Sequence, residues 1–234
     1  MGIASFIKTS KTGIYAILLF YIIAIVCRIT AVYILPSIFV DAQQAIWLQL
    51  CEGVGPTLGA LAVLFLFKRK LYCSLFGLSW LRSIACIAIP VLLFLVFDRT
   101  NGVKASLIFM GCISYAFLEE VGWRGYLTGE FASLSQFKRI LIITAFWFFW
   151  HINFPLGISG VIFFLILLLA SWGLDQLARD THSLILCACL HGIFNLFKHN
   201  NGLLDNWITI TLLVLSIVSW FVIWYFPVKT SHLP

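Results

Sequence analysis

Residues 13–35 read GIYAILLFYIIAIVCRITAVYIL, a run of 23 residues whose only fully charged side chain is Arg28. A helix crossing the hydrocarbon core of a bilayer needs about 20 apolar residues, so this run is expected to span a membrane. Lys8 and Lys11 precede it, an order shared with secretory signals. The run is longer than the apolar region of a signal, however, and no small-x-small cleavage site closes it. It reads as a retained first span ended by Pro36.

The rest of the chain repeats that pattern. Further apolar runs cover about 46–67, 83–97, 105–127, 138–154, 158–174, 183–197 and 207–226. Across all 234 residues 62% are apolar, 10% are charged and the mean hydropathy is +1.05. Soluble domains carry about 25% charged residues, so a soluble globular domain, a disordered chain and a coiled coil are excluded. Eight spans use roughly 160 residues and leave no room for a separate soluble domain. In lipid the backbone must satisfy its own hydrogen bonds, and the ten-residue alternation of a β-barrel is missing. The expected fold is all-α: a polytopic membrane bundle of about eight transmembrane helices, one integral-membrane domain over residues 1–234.

Lys and Arg outnumber Asp and Glu by 15 to 9, a net charge of +6. Without a basic stripe interleaved with aromatics, nucleic acid is not an expected partner. Basic residues instead mark cytoplasmic loops. With the N-terminus inside, ten fall in inner loops (Lys8, Lys11, Lys68, Arg69, Lys70, Arg82, Lys138, Arg139, Arg179 and Lys229) and three in outer ones (Arg99, Lys104 and Lys198). This split predicts both termini in the cytoplasm; the expected location is integral to a membrane, a bacterial or archaeal plasma membrane. None of the seven Cys forms a C-x-x-C; they read as small packing residues.

Ionisable groups at mid-bilayer cost at least about 2.5–3.5 kcal/mol on insertion scales, and the fourth run carries three in Phe117-Leu118-Glu119-Glu120-Val121-Gly122-Trp123-Arg124. Glu120 and Arg124, four apart, share a helix face and can pair. Glu119 lies about 100° away, leaving one carboxylate to point elsewhere. The fifth run ends Phe146-Trp147-Phe148-Phe149-Trp150-His151, and the seventh holds His191-Gly192-Ile193-Phe194-Asn195, with His191 and Asn195 on one face. Glu119, His151 and His191 are placed near the centres of their spans. Two carboxylates, an Arg, two imidazoles and an amide at similar depth are the ingredients of a hydrolytic site. Taken one at a time, the His and Asn also suit interhelical hydrogen bonds. Trp147 and Trp150 suit anchors or core.

Arg28 is expected to snorkel or to pair with a neighbouring helix, and Glu52 to line a cavity mouth. Gly55-x-x-x-Gly59 is a close-packing pattern. His182, His199 and His232 fall in loops and are expected to be solvated.

The series Glu119-Glu120-x-x-x-Arg124, an aromatic helix ending in His151, then His191-x-x-x-Asn195 resembles the CPBP family of CAAX prenyl protease-like and bacteriocin-processing membrane proteins, also called the Abi family. The resemblance covers about residues 105–197. It departs at Trp147, where the family often has Phe. It implies an eight-helix intramembrane endopeptidase with a cavity open to the cytoplasm, acting on a membrane-associated peptide or protein. Carried over, Glu119 is the general base, His151 helps hold the water, and His191 and Asn195 complete the site, with Asn195 as oxyanion donor. Glu120 and Arg124 are the supporting pair. Substrate prenylation is left open.

Two other classes remain: a non-catalytic immunity or scaffold protein on the same fold, and a small proton-coupled transporter. Metal is a separate question. Two His and one carboxylate are a common zinc set, so Glu119, His151 and His191 are an alternative metal site. No H-E-x-x-H is present, and the three come from separate helices. A metal-independent, glutamate-based enzyme without cofactor is the expectation.

Overall fold

The computed structural model describes residues 11–38, 46–198 and 205–225. Lys8, Lys229, His199, His232 and both chain ends, all read above from sequence, lie outside the described residues. Among the described residues eight helices follow one another. Helix α1 comprises Lys11–Ile29, a π-helical stretch Thr30–Ile34 and Leu35–Ile38; α2 is Ile46–Phe67 and α3 is Trp80–Phe97. Helix α4 comprises Gly102–Glu120, a second π-helical stretch Val121–Leu127 and Thr128–Glu130. Then come α5 (Gln136–Trp150), α6 (Ile158–Thr181), α7 (Leu184–Lys198) and α8 (Trp207–Tyr225). The all-helical polytopic architecture read from the sequence is present. Six of the helices are long and apolar enough to cross a membrane.

The other two, α5 and α7, have 15 residues each. Their brevity reflects their position. Along α7 only Phe194 is exposed among residues 184–196, as expected for a helix enclosed by others rather than facing lipid. Helix α4 is the centre of the bundle. It packs on α2, α3 and α7, and its π-helical part also meets α5 and α6. More than half of its spanning stretch is buried, against a third or less in the other five long helices.

Helices α1 and α2 approach closely through Gly55-x-x-x-Gly59. A Cβ at Gly55 would lie 2.7 Å from the Ala24 carbonyl oxygen, and one at Gly59 2.6 Å from that of Phe20. Backbone contact of this kind brings neighbouring helices together in membranes, where apolar burial supplies no drive. Helix α2 in turn seats Pro56 against Gly122, immediately after the two glutamates; a Cβ there would lie 2.5 Å from Pro56 Cβ.

Several boundaries differ from the sequence reading. Helix α5 stops at Trp150, short of Phe154, because Ile152 turns left-handed (φ 50°) ahead of Pro155. His151 is therefore the C-cap of α5, not a mid-helix residue. Helix α6 runs past Leu174 to Thr181. Its polar last turns are held by ion pairs: Arg139 grips Asp175 with Nε and Nη2 at 2.8 and 2.9 Å, and Arg179 lies 3.3 Å from the same carboxylate. His182, expected to be solvated, is half-buried. It ends α6 in the left-handed region (φ 51°), with Nδ1 3.3 Å from the Tyr72 carbonyl.

Candidate active site

Glu119 and Glu120 are the last α-helical residues of α4 before its backbone widens into the π-helical turn. Such stretches are rare and recur at functional sites. This one closes at Thr128, whose N–H and hydroxyl both reach the Trp123 carbonyl, the hydroxyl at 3.1 Å. Every residue from Glu119 to Thr128 is buried.

The two carboxylates have different surroundings. Glu120 is fully buried and partnered from two sides. Arg124 Nε lies 3.4 Å from Oε2, and His191 Nδ1 lies 2.8 Å from Oε1. Arg124 is held further by Ser171 Oγ, which accepts from Nη2 at 3.2 Å, and its guanidinium lies 5.1 Å from the centre of the Trp147 ring. Glu119, 1% exposed, makes no ion pair within 4 Å among the described residues. Its Oε2 accepts from two indoles instead, Trp147 Nε1 at 2.8 Å and Trp123 Nε1 at 3.3 Å.

Trp147 is the hub of the site. It donates to Glu119, stacks under Arg124 and meets the His191 ring edge to face, with centroids 5.0 Å apart. Its own carbonyl oxygen lies 2.8 Å from His151 Nδ1. A carbonyl only accepts, so Nδ1 of His151 carries a proton. The same reasoning applies to His191. Its Nδ1–H donates to Glu120, which fixes the tautomer and orientation as a carboxylate does in other imidazole pairs.

Asn195, one turn after His191, has a buried Nδ2 with no hydrogen-bond partner among the described residues. An unsatisfied buried donor costs about 1–3 kcal/mol. The amide is therefore a donor in reserve, one helical turn from His191 on α7.

Of the residues singled out from sequence, Glu120, Arg124 and His191 are joined directly, while Glu119 and His151 join them through Trp147. His191 meets Glu120 rather than Glu119. For the alternative zinc set of Glu119, His151 and His191, the donors are not gathered: among the described residues no three His, Cys, Asp or Glu side chains cluster so as to hold a metal ion.

Sequence reasoning missed Trp147, Trp123 and Ser171 as partners. The first two were findable, since each stands four residues from a site residue on the same helix face and an indole N–H suits a carboxylate. Arg28 and Glu52 pair across α1 and α2 at 2.8 Å, with the Arg28 guanidinium 4.6 Å from the centre of the Trp150 ring. Together with Tyr115 they lie within electrostatic reach of Glu119.

These groups all fall in one segment, and comparison with known families places that segment. Residues 100–197 match the family model described as type II CAAX prenyl endopeptidase Rce1-like. The Rce1-like match begins at the turn before α4 and ends in α7, so it holds all six predicted site residues and Trp147. It bears out the resemblance read from the motifs over about 105–197. Helices α1–α3 and α8 lie outside the Rce1-like segment. No curated protein and no solved structure matches the chain.

Proposed function

We propose that this protein is an intramembrane endopeptidase, hydrolysing a peptide bond of a membrane-associated peptide or protein with water activated by Glu119. The observation that carries this reading is the unequal treatment of two adjacent buried carboxylates within an Rce1-like segment. Glu120 is paired with Arg124 and His191, whereas Glu119 makes no ion pair within 4 Å among the described residues and accepts from neutral donors, the indoles of Trp147 and Trp123 and the Tyr115 hydroxyl. A carboxylate without a cationic partner is the one available to accept a proton.

In this mechanism Glu119 removes a proton from water, and the water oxygen adds to the peptide carbonyl carbon. His151 Nε2 accepts a hydrogen bond from the same water. Asn195 Nδ2 donates to the oxyanion that forms, as a preorganised donor in a water-poor site should. The proton held by Glu119 passes to the leaving nitrogen through His191, and Glu120 compensates the imidazolium charge during the relay. The C–N bond then breaks to give a carboxylate and an amine.

The reading is tested with purified protein in proteoliposomes, offered membrane peptides whose products are followed by mass spectrometry. Asn195→Ala should lower turnover by about 10²–10³-fold, the usual cost of losing one oxyanion donor. Cleavage by Asn195→Ala at the wild-type rate would remove the amide from the mechanism. A transporter would yield proton-coupled flux and no fragments, and a scaffold or immunity protein would yield neither.

The proposed chemistry involves no metal. Activity should survive prolonged treatment with strong chelators, and the protein should hold far less than one zinc per chain. Stoichiometric zinc, with activity lost on removal and restored on return, would turn Glu119, His151 and His191 into ligands.

The proposed orientation puts both termini and Lys68-Arg69-Lys70 in the cytoplasm. A single Cys introduced at Asn101, with the native Cys replaced, should react with impermeant reagent from outside only. Labelling from the cytoplasm alone would invert the topology.

A further inference from the structure

Helix α2 stops abruptly at Lys68, which adopts the left-handed region (φ 55°). The chain from there to α3 is a fixed strap rather than a loose loop. Tyr72 N–H donates to the Gly125 carbonyl at 2.6 Å, on the π-helical turn and next to Arg124. Ser74 N–H donates to the His182 carbonyl at 2.9 Å, and Leu184 N–H donates back to the Ser74 carbonyl at 3.0 Å. Gly77 (φ 63°) allows the closest approach. A Cβ there would stand 2.1 Å from the Thr181 carbonyl oxygen, so no other residue fits.

Between this strap and the α6–α7 turn lies a cleft of about 590 Å³. Its polar lining is Arg69, Lys70, Tyr72, Ser74 and His182, and no acidic side chain lines it. Arg69 is half-spent, lying 3.2 Å from Glu130. Lys70 is exposed and makes no ion pair within 4 Å among the described residues. The cleft is therefore net positive, with hydroxyl donors beside the charge.

Its margin is apolar. Leu64, Leu71 and Leu78 line the cleft itself. Beyond them the strap and the start of α3 expose Leu75, Phe76 and Trp80, the last at 63%. A basic cleft ringed by exposed apolar and aromatic side chains at helix ends matches the level where headgroups meet acyl chains.

We propose that this cleft binds the phosphate of an anionic glycerophospholipid headgroup, with the acyl chains lying over the Leu71–Leu78–Trp80 margin. The charge selects an anion, and the apolar ring selects one attached to a lipid. A choline headgroup would bring its own cation against Lys70 and Arg69 and is excluded from the site. The bound headgroup would clamp the strap onto the turn that carries Arg124.

The test uses the full chain in detergent micelles, offered phosphatidylglycerol, phosphatidylcholine or inorganic phosphate, with retained ligand counted by mass spectrometry of the intact complex. Phosphatidylglycerol should be retained at concentrations where phosphatidylcholine is not. A basic residue near a membrane surface contributes a roughly fivefold affinity factor. Lys70→Gln should therefore weaken retention about fivefold and Lys70→Glu about thirtyfold, with unchanged melting temperature because Lys70 is exposed and makes no ion pair among the described residues. Equal retention of phosphatidylcholine, or undiminished phosphatidylglycerol binding by Lys70→Glu, would overturn the proposal. Inorganic phosphate competing at the same concentration as the lipid would make this a site for a soluble anion and overturn the lipid assignment.

Discussion

Glu119→Gln should lower the rate of peptide cleavage by about 10²–10⁴-fold, the typical worth of a positioned general base, while leaving the fold intact. The amide has the shape of the carboxylate, and its oxygen still accepts from Trp147 Nε1 and Trp123 Nε1. The change strands no ion-pair partner, because Arg124 and His191 are engaged by Glu120. What is lost is the ability to take a proton from water. Initial cleavage rates measured beside melting temperatures separate chemistry from folding. A stable Glu119→Gln protein that cleaves at the wild-type rate would deny Glu119 its role.

Arg124→Leu should behave in the opposite way, with low expression and a lowered melting temperature. Arg124 is 1% exposed and lies against Glu120, Ser171 and the Trp147 ring. Its removal leaves Glu120 charged at the centre of the bundle, with His191 as its remaining partner. Breaking a buried pair on one side costs roughly 3–5 kcal/mol, a large part of the stability of most domains. The double change Glu120→Gln with Arg124→Leu removes the stranded charge and should recover part of the loss. Denaturation in detergent, compared across the single and double variants, checks this. Normal expression and melting for Arg124→Leu, with activity alone abolished, would move Arg124 from support into the chemistry.

The helices could be read from the chain because a lipid environment leaves few choices. Long apolar runs must be helical, and the runs read at about 46–67 and 207–226 coincide with α2 and α8 to within a residue or two. Ends failed where the limit was set by tertiary contacts. Helix α6 runs on to Thr181 because Arg139, on another helix, captures Asp175; the i,i+4 pairing of Asp175 with Arg179 supports the same turns locally but could not show that capture. The Glu120–Arg124 pair followed from helical spacing. Two other features did not. The π-helical turn has no signature in Val121–Leu127 beyond its glycines, and the choice of His191 for Glu120 depends on how α7 is rotated against α4. Trp147 illustrates a third kind of failure. Its residue type suited core packing, and only the placement of its N–H, 2.8 Å from Glu119, makes it the hub.

The central claim is that water, activated at Glu119, becomes part of the product. Single-turnover cleavage of a membrane peptide by the purified protein in ¹⁸O-enriched water measures this directly. Direct attack by water predicts one ¹⁸O atom in the new C-terminal carboxylate of the peptide, none in the enzyme, and no fragment at all from Glu119→Gln over the same interval. Label appearing on the Glu119 side chain, or an unlabelled product carboxylate, would instead require a covalent acyl intermediate and contradict the account.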